Sequence, residues 1–312
     1  MPAFSGHVDF QPDKDIPSLE GKVILVTGGT AGLGKASIEA LSRHGPAHIY
    51  FTGRNTKAAE ALIARVKNIN SQVALTFLET DFLSLASVKQ ACARFQHERL
   101  DIIMCNAGVI FKPPGLSQDG FKVTFAINHL AHAMIIQQLL PVMLKTAQIP
   151  GADVRLVSLT SAGWRGHPWD GISFSTLKTT QGGVLKGTVR YGQSKLANVM
   201  YAAELARRHP EIMAVSVHPG VVNTDLVSTL SPAGRALVYV STWIQGDSVL
   251  EEEQGCFSQL WVAAGARRDE LVNGGFYMPI GVLSNDKLDC TAKSEKLAGE
   301  IWKWTDEVLA SF

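Results

Sequence analysis

The chain has 312 residues, 46% of them apolar and 18% charged, with a formal net charge of +1. That composition supports a sizeable core and excludes extended disorder, and the near-neutral charge argues against nucleic acid as a main partner. No uninterrupted apolar stretch reaches about 18 residues, so no membrane anchor is expected.

Met1 to Glu20 lacks the basic region and apolar centre of a signal peptide. It reads as a polar lead-in marked by Pro2, Pro12 and Pro17, before one domain over residues 21–312. Cys92, Cys105, Cys256 and Cys290 show no C-x-x-C spacing, so neither a metal site nor a disulfide framework is expected. The expected setting is a reducing, cytoplasmic one.

The first element is the run Val23-Ile24-Leu25-Val26, which leads into glycines at 28, 29, 32 and 34. A helical pattern follows from Lys35. This is a buried parallel strand, a glycine turn and a helix N-terminus. Such a junction gathers backbone N–H groups and the positive end of a helix dipole around a phosphate. The spacing, Thr27-Gly28-x-x-x-Gly32-x-Gly34, departs from the usual G-x-G-x-x-G, and the glycines alone also fit an ordinary tight turn.

Strands and helices then alternate. Strands are expected over 48–53, 73–78, 101–105, 154–159 and 213–217. Helices are expected over 57–68, 84–97, 121–145 and 191–208, with Pro141 bending or ending the third. Repeated βα alternation implies a doubly wound parallel sheet, a single-domain Rossmann fold with helices on both faces. Ligands of such sheets bind at the C-terminal ends of the strands.

Residues at those ends carry chemistry. Gly53-Arg54 follows strand two, where a basic residue accommodates a 2′-phosphate, so the pair reads as NADP(H) rather than NAD(H). Asp81-Phe82 follows strand three; Asp81 either accepts from an adenine amino group or caps the next helix. Asn106-Ala107-Gly108 follows strand four, with small residues that admit a flat cofactor and an Asn able to tie neighbouring strands. Thr160-Ser161-Ala162-Gly163 follows strand five and offers a hydroxyl to a substrate carbonyl. Tyr191 and Lys195 stand four apart and share a helix face. Lys195, as a nearby cation, is expected to lower the tyrosine pKa and suit the phenol to proton exchange near neutral pH.

Taken together and in order, Thr27-Gly28-x-x-x-Gly32-x-Gly34, Asn106-Ala107-Gly108, Asn128, Ser161, Tyr191-x-x-x-Lys195 and His218-Pro219-Gly220 resemble the short-chain dehydrogenase/reductase family over roughly residues 20–280. The segments 125–132 and 191–199 look like the retinol-dehydrogenase and WW-domain-oxidoreductase branch, and 274–281 looks like fungal reductases. The resemblance implies a catalytic set of Asn128, Ser161, Tyr191 and Lys195. Tyr191 would be the general acid/base, Ser161 would hold the substrate oxygen, Lys195 the nicotinamide ribose, and Asn128 a relay water. It implies cofactor contacts at Thr27, Gly28, Thr30, Gly32, Leu33, Gly34, Arg54, Asp81, Phe82, Asn106, Ala107, Gly108, Tyr191, Lys195, Pro219, Gly220, Val222 and Thr224. It also implies a possible homodimer through the long helices after strands four and five.

Two regions concern the substrate. The insert from Gly163 to Arg190, with Trp164, His167, Trp169, Phe174 and Gly182-Gly183, reads either as a wall or cover of the substrate site or as a loop packed by its own aromatics. Leu226 to Gly246 reads as a lid for an apolar substrate or as a core helix. His129, His132 and His218 read as structural. The sequence points to an NADP(H)-dependent oxidoreductase acting on an apolar, aromatic or polyketide-like carbonyl or alcohol. A catalytically silent NADP(H)-binding regulator is the alternative, against which the intact Ser161, Tyr191 and Lys195 weigh.

Overall fold

Four aliphatic residues in succession leave a strand no polar face, and Val23–Val26 forms β1 at the middle of the sheet. Val23 and Leu25 enter one apolar cluster while Ile24 and Val26 enter another on the opposite side, as the two-residue period of a strand requires. The structure is a computed structural model, which describes residues 7–180, 182, 186–222 and 249–312.

The strands that follow are β2 (His48–Gly53), β3 (Ala74–Glu79), β4 (Ile102–Cys105), β5 (Arg155–Leu159) and β6 (Met213–Val217). Next come the short β7 (Val221–Val222) and β8 (Val249–Leu250), which pair only with each other, then β9 (Phe276–Met278) and β10 (Val282–Leu283). The main sheet runs β10-β9-β6-β5-β4-β1-β2-β3. Every pairing in it is parallel except β10 on β9. The expected doubly wound Rossmann fold is therefore present, with β9 and β10 added beyond the six strands read from sequence. The order turns back between β1 and β4, and that reversal opens the crevice in which such sheets bind ligands.

The helices include α1 (Pro12–Asp15), α2 (Gly32–Ser42), α3 (Thr56–Ile69), α4 (Leu85–Ala93), α5 (Val123–Phe125), α6 (Ala131–Ala147), α7 (Lys186–Arg208) and, at the C-terminus, α8 (Glu295–Leu309), with short helical turns Glu252–Gly255 and Phe257–Leu260 before the last. A π-helical turn, Ala126–Leu130, joins α5 to α6. Pro141 does not end α6: it lies on the exposed face, where water can take the carbonyl that its ring leaves unbonded. The stretch Val123–Ala147 is the one described helix long and apolar enough to cross a membrane, and 61% of its apolar window is buried inside the fold.

The lead-in is more tightly held than its sequence suggested. Within the lead-in, Phe10, Ile16 and Leu19 are buried in the core beside β1. The C-terminal helix α8 lies over α6 and α7: Trp302 stacks on Tyr201 at 4.5 Å, and Thr305 Oγ1 bonds His129 Nε2 at 3.1 Å.

Candidate active site

A cavity of about 540 Å³ runs across the C-terminal ends of β1 to β6. Its lining includes Gly28, Thr30, Gly32, Leu33, Arg54, Asp81, Phe82, Ala107, Gly108, Ser161, Tyr191, Lys195, Pro219, Gly220 and Val222. Residues expected at six strand ends are thereby brought to one crevice. Thr224 and the segment Leu226–Gly246 lie outside the described residues, as does Gly183.

The glycine turn is shaped by close approach. Gly28 has φ 66 and Gly32 φ 52, values that favour glycine. A Cβ on Gly34 would stand 2.4 Å from the Gly28 carbonyl oxygen and 2.6 Å from Asn106 Nδ2. The N-cap of α2, Ala31, offers no side-chain acceptor to the first N–H groups of the helix. Those donors face the cavity mouth, and a phosphate is the ligand they suit. The chain's own residues therefore fit a dinucleotide at this end.

Behind the turn lies a saturated hydrogen-bond system. Thr27 Oγ1 accepts from the Asn106 and Ala107 N–H groups at 2.8 and 2.9 Å. Asn106 Nδ2 donates to the Thr27 carbonyl at 2.9 Å, so this asparagine does tie neighbouring strands. Thr27 Oγ1 also lies 2.9 Å from His132 Nε2, and His132 Nδ1 lies 3.0 Å from the Asn128 carbonyl. A carbonyl accepts only, so Nδ1 carries the proton and Nε2 accepts from the threonine hydroxyl. Burial pushes the His132 pKa down to about 4, which keeps this neutral tautomer in place.

Asn128 sits in the π turn and is fully buried. Its Oδ1 accepts from Val109 N at 2.8 Å, while Nδ2 donates to Val109 O and Ser194 Oγ, both at 3.0 Å. Its side chain holds the loop after β4 and is not part of the cavity wall.

At the adenine end, Asp81 does not cap α4. Ser84 does, accepting from Ser87 N at 3.3 Å. Asp81 Oδ1 instead accepts from Leu83 N at 3.0 Å and the residue lines the cavity. Arg54 is exposed at the rim, where a second recess also collects Arg94, Ser87 and Gln90.

At the other end stand Ser161, Tyr191 and Lys195. Among three neighbouring hydroxyls, Ser158 and Thr160 donate to backbone carbonyls of α7, Asn198 and Lys195, at 3.4 and 2.8 Å. Ser161 is the one of the three paired with the Tyr191 phenol. Gly163 lets this happen: a Cβ there would come 2.7 Å from the tyrosine ring. Lys195 Nζ donates to the Leu159 carbonyl at 2.9 Å and lies 5.9 Å from the Tyr191 ring centre.

The electrostatics correct one expectation. Burial pushes the Tyr191 pKa up to about 12, against a smaller lowering by the Ser161 hydrogen bond. Lys195 was expected to lower it. Burial instead brings Lys195 itself down to about 8, and its ammonium is directed at the Leu159 carbonyl. Removal from water is what dominates the phenol.

The insert after Ser161 packs away from the cavity. Residues 163–180 contribute nothing to its lining. Trp164 is buried against His167, Phe174 meets Trp304 at 5.6 Å, and a Cβ on Gly171 would meet Leu297 of α8. Sequence reasoning passed over Val109 and Ile110, which line the cavity directly after the Asn106-Ala107-Gly108 triplet. It also passed over His132 and His218 as structural. For His132 a signal existed, since it is one turn beyond Asn128 on the same helix face.

The short chain dehydrogenase family model matches residues 22–164. The short-chain dehydrogenase/reductase drtF of Aspergillus calidoustus is 31% identical over 310 residues, covering 94% of this chain and 95% of that one. The chain belongs to the short-chain dehydrogenase/reductase family. It is also 32% identical over 268 residues to a Streptomyces protein named as a candidate daunorubicin C-13 ketoreductase, with 83% of each chain covered. Among solved structures, the NADPH-dependent 3-quinuclidinone reductase of Rhodotorula rubra superposes with a TM-score of 0.65 at 19% identity, over 90% of this chain and 97% of that one. As a family member the protein is an oxidoreductase that works with a nicotinamide cofactor on small molecules.

Proposed function

We propose that this family member is an NADP(H)-dependent oxidoreductase, acting between a carbonyl and an alcohol on an apolar small molecule. One observation carries the reading. The Ser161–Tyr191 pair and Lys195 line one end of a cavity whose other end presents the uncapped N-terminus of α2 and Arg54. The ketoreductase name of the Streptomyces relative points to carbonyl substrates as well.

The nicotinamide, when bound, would supply a hydride for the substrate carbon. The chain does the rest. Ser161 Oγ donates to the carbonyl oxygen and steadies the charge that develops there. Tyr191 Oη gives that oxygen its proton, and burial keeps the phenol protonated at working pH, which suits the reducing direction. Lys195 would hold the ribose and Arg54 the 2′-phosphate. Asn128 keeps Val109, and with it the loop under the cofactor, in place.

The test is turnover with NADPH and NADH over aromatic, steroidal and aliphatic ketones. NADPH should be preferred, and Arg54→Asp should shift the ratio of kcat/KM values toward NADH by about tenfold. A wild-type preference for NADH would overturn the cofactor assignment. Absence of turnover on every carbonyl would overturn the reaction.

A further inference from the structure

One buried side chain in the cavity wall takes no part in the chemistry described so far. His218 is 3% exposed, and among the described residues neither ring nitrogen has a hydrogen-bond partner. Its backbone N–H is occupied by the Tyr277 carbonyl at 2.9 Å. The residue belongs to the cavity lining together with Ser161 and Tyr191, and both its ring nitrogens are buried. An imidazole left this way costs about 1–3 kcal/mol for each unmet polar atom. An apolar residue would avoid that cost.

Register fixes where the residue stands. Leu159 pairs with Val217 across β5 and β6, and Thr160 N donates to Val217 O at 2.8 Å. His218, directly after β6, is thus set beside Thr160 and Ser161. Arg165, in the turn after Ser161, and Lys195 both act on the ring electrostatically. Burial and those two cations hold the imidazole neutral, with its pKa down at about 4. In that form it offers one N–H donor and one lone pair.

We propose that His218 is a specificity-determining residue that hydrogen-bonds a second oxygen of the substrate, so that the preferred substrates are carbonyl compounds bearing a neighbouring hydroxyl or carbonyl. This deepens the proposed function and rests on its assignment of the reacting end of the cavity. Val109, Ile110 and Ile127 add apolar surface to a lining that also holds Lys112 and Thr160. A buried polar anchor discriminates strongly, because a substrate lacking the matching oxygen leaves the anchor unpaired.

The test uses the full chain with NADPH and two matched ketones, 1-phenylpropan-1-one and 1-phenylpropane-1,2-dione. His218→Phe should lower kcat/KM for the dione by about tenfold or more, leave the plain ketone unchanged or improved, and leave the KM for NADPH unchanged. His218→Gln, which keeps a donor and an acceptor, should recover part of the loss. Calorimetric binding of both ketones to the NADP⁺ complex is the second readout, with the dione preference expected only in wild type. Equal losses for both ketones with a raised KM for NADPH would overturn the proposal and place His218 on the nicotinamide. No change for either ketone would overturn it too. If wild type turns over neither ketone yet binds the dione in a His218-dependent way, the reaction assignment fails and this inference stands.

Discussion

At the glycine end of the cavity nearly every buried polar atom has a partner, whereas at the tyrosine end several stand in reserve. Thr27, Asn106, His132 and Asn128 form one continuous set of hydrogen bonds between 2.8 and 3.0 Å. Gly28 and Gly34 remove the side chains that would intrude on it. At the other end Tyr191 is held protonated, Lys195 is partly discharged, and both nitrogens of His218 are without a partner among the described residues. The first arrangement suits a ligand that never changes, the dinucleotide. The second suits atoms whose charge and bonding change during turnover, since groups removed from water respond strongly to whatever arrives.

That contrast breaks most visibly at Tyr191. Tyr191→Phe should lower kcat by about a thousandfold, with the affinity for NADP⁺ unchanged by calorimetry. Retained turnover would remove the phenol from its role. Next is the turn. In Gly34→Ala the new Cβ must displace the Gly28 carbonyl, which costs about 2–3 kcal/mol of stability and weakens NADP⁺ binding. A melting temperature and affinity equal to wild type would show slack that the 2.4 Å approach does not allow.

Acid sharpens the comparison from another side. Burial depresses His129 to about 3, and His132 and His218 to about 4, from an ordinary value of 6.5. Between those limits the unfolded chain binds more protons than the folded one, so stability rises with pH there. The contribution is complete above about pH 6.5 and is lost as pH falls through about 4. Melting temperatures across pH 4–7.5 should fall toward the acid end, and less so in His218→Phe than in wild type. A flat profile would mean that these rings are solvated.

Much of this was legible in the sequence, and the reasons are local. The apolar run Val23–Val26 leaves no polar face and reads as a central strand, and the glycines after it mark a turn of close approach once the later strand-end residues are read with them. Tyr191 and Lys195 share a face by helical spacing alone. What escaped the sequence depends on pairs far apart in the chain. The bond from Thr27 to His132 spans 105 positions. The π turn at Asn128 leaves no mark in apolar periodicity, because one widened turn shifts it by only one residue. The insert after Ser161 has aromatics that fit either a substrate wall or self-packing, and its described residues Phe174 and Gly171 instead meet α8, over a hundred residues away.

The smallest expected effect concerns the joint between the two ends. His132 ties the hydroxyl behind the phosphate turn to the carbonyl of Asn128, and Asn128 in turn fixes Val109 and Ser194 beside Lys195. Thr27→Val removes a hydroxyl that accepts from two backbone N–H groups, so it should cost about 2 kcal/mol. His132→Phe leaves one acceptor and one donor unmet, and should cost about 1 kcal/mol. Both variants should weaken NADP⁺ binding and also lower kcat, since the turn and the helix of Asn128 relax together. If the histidine is a true link, the double variant should cost less than the sum by about 0.5–1 kcal/mol, because the shared bond can be lost only once. Strict additivity in both affinity and kcat would mean that the ring merely fills space between two independent parts, and that the two ends of the cavity are held separately.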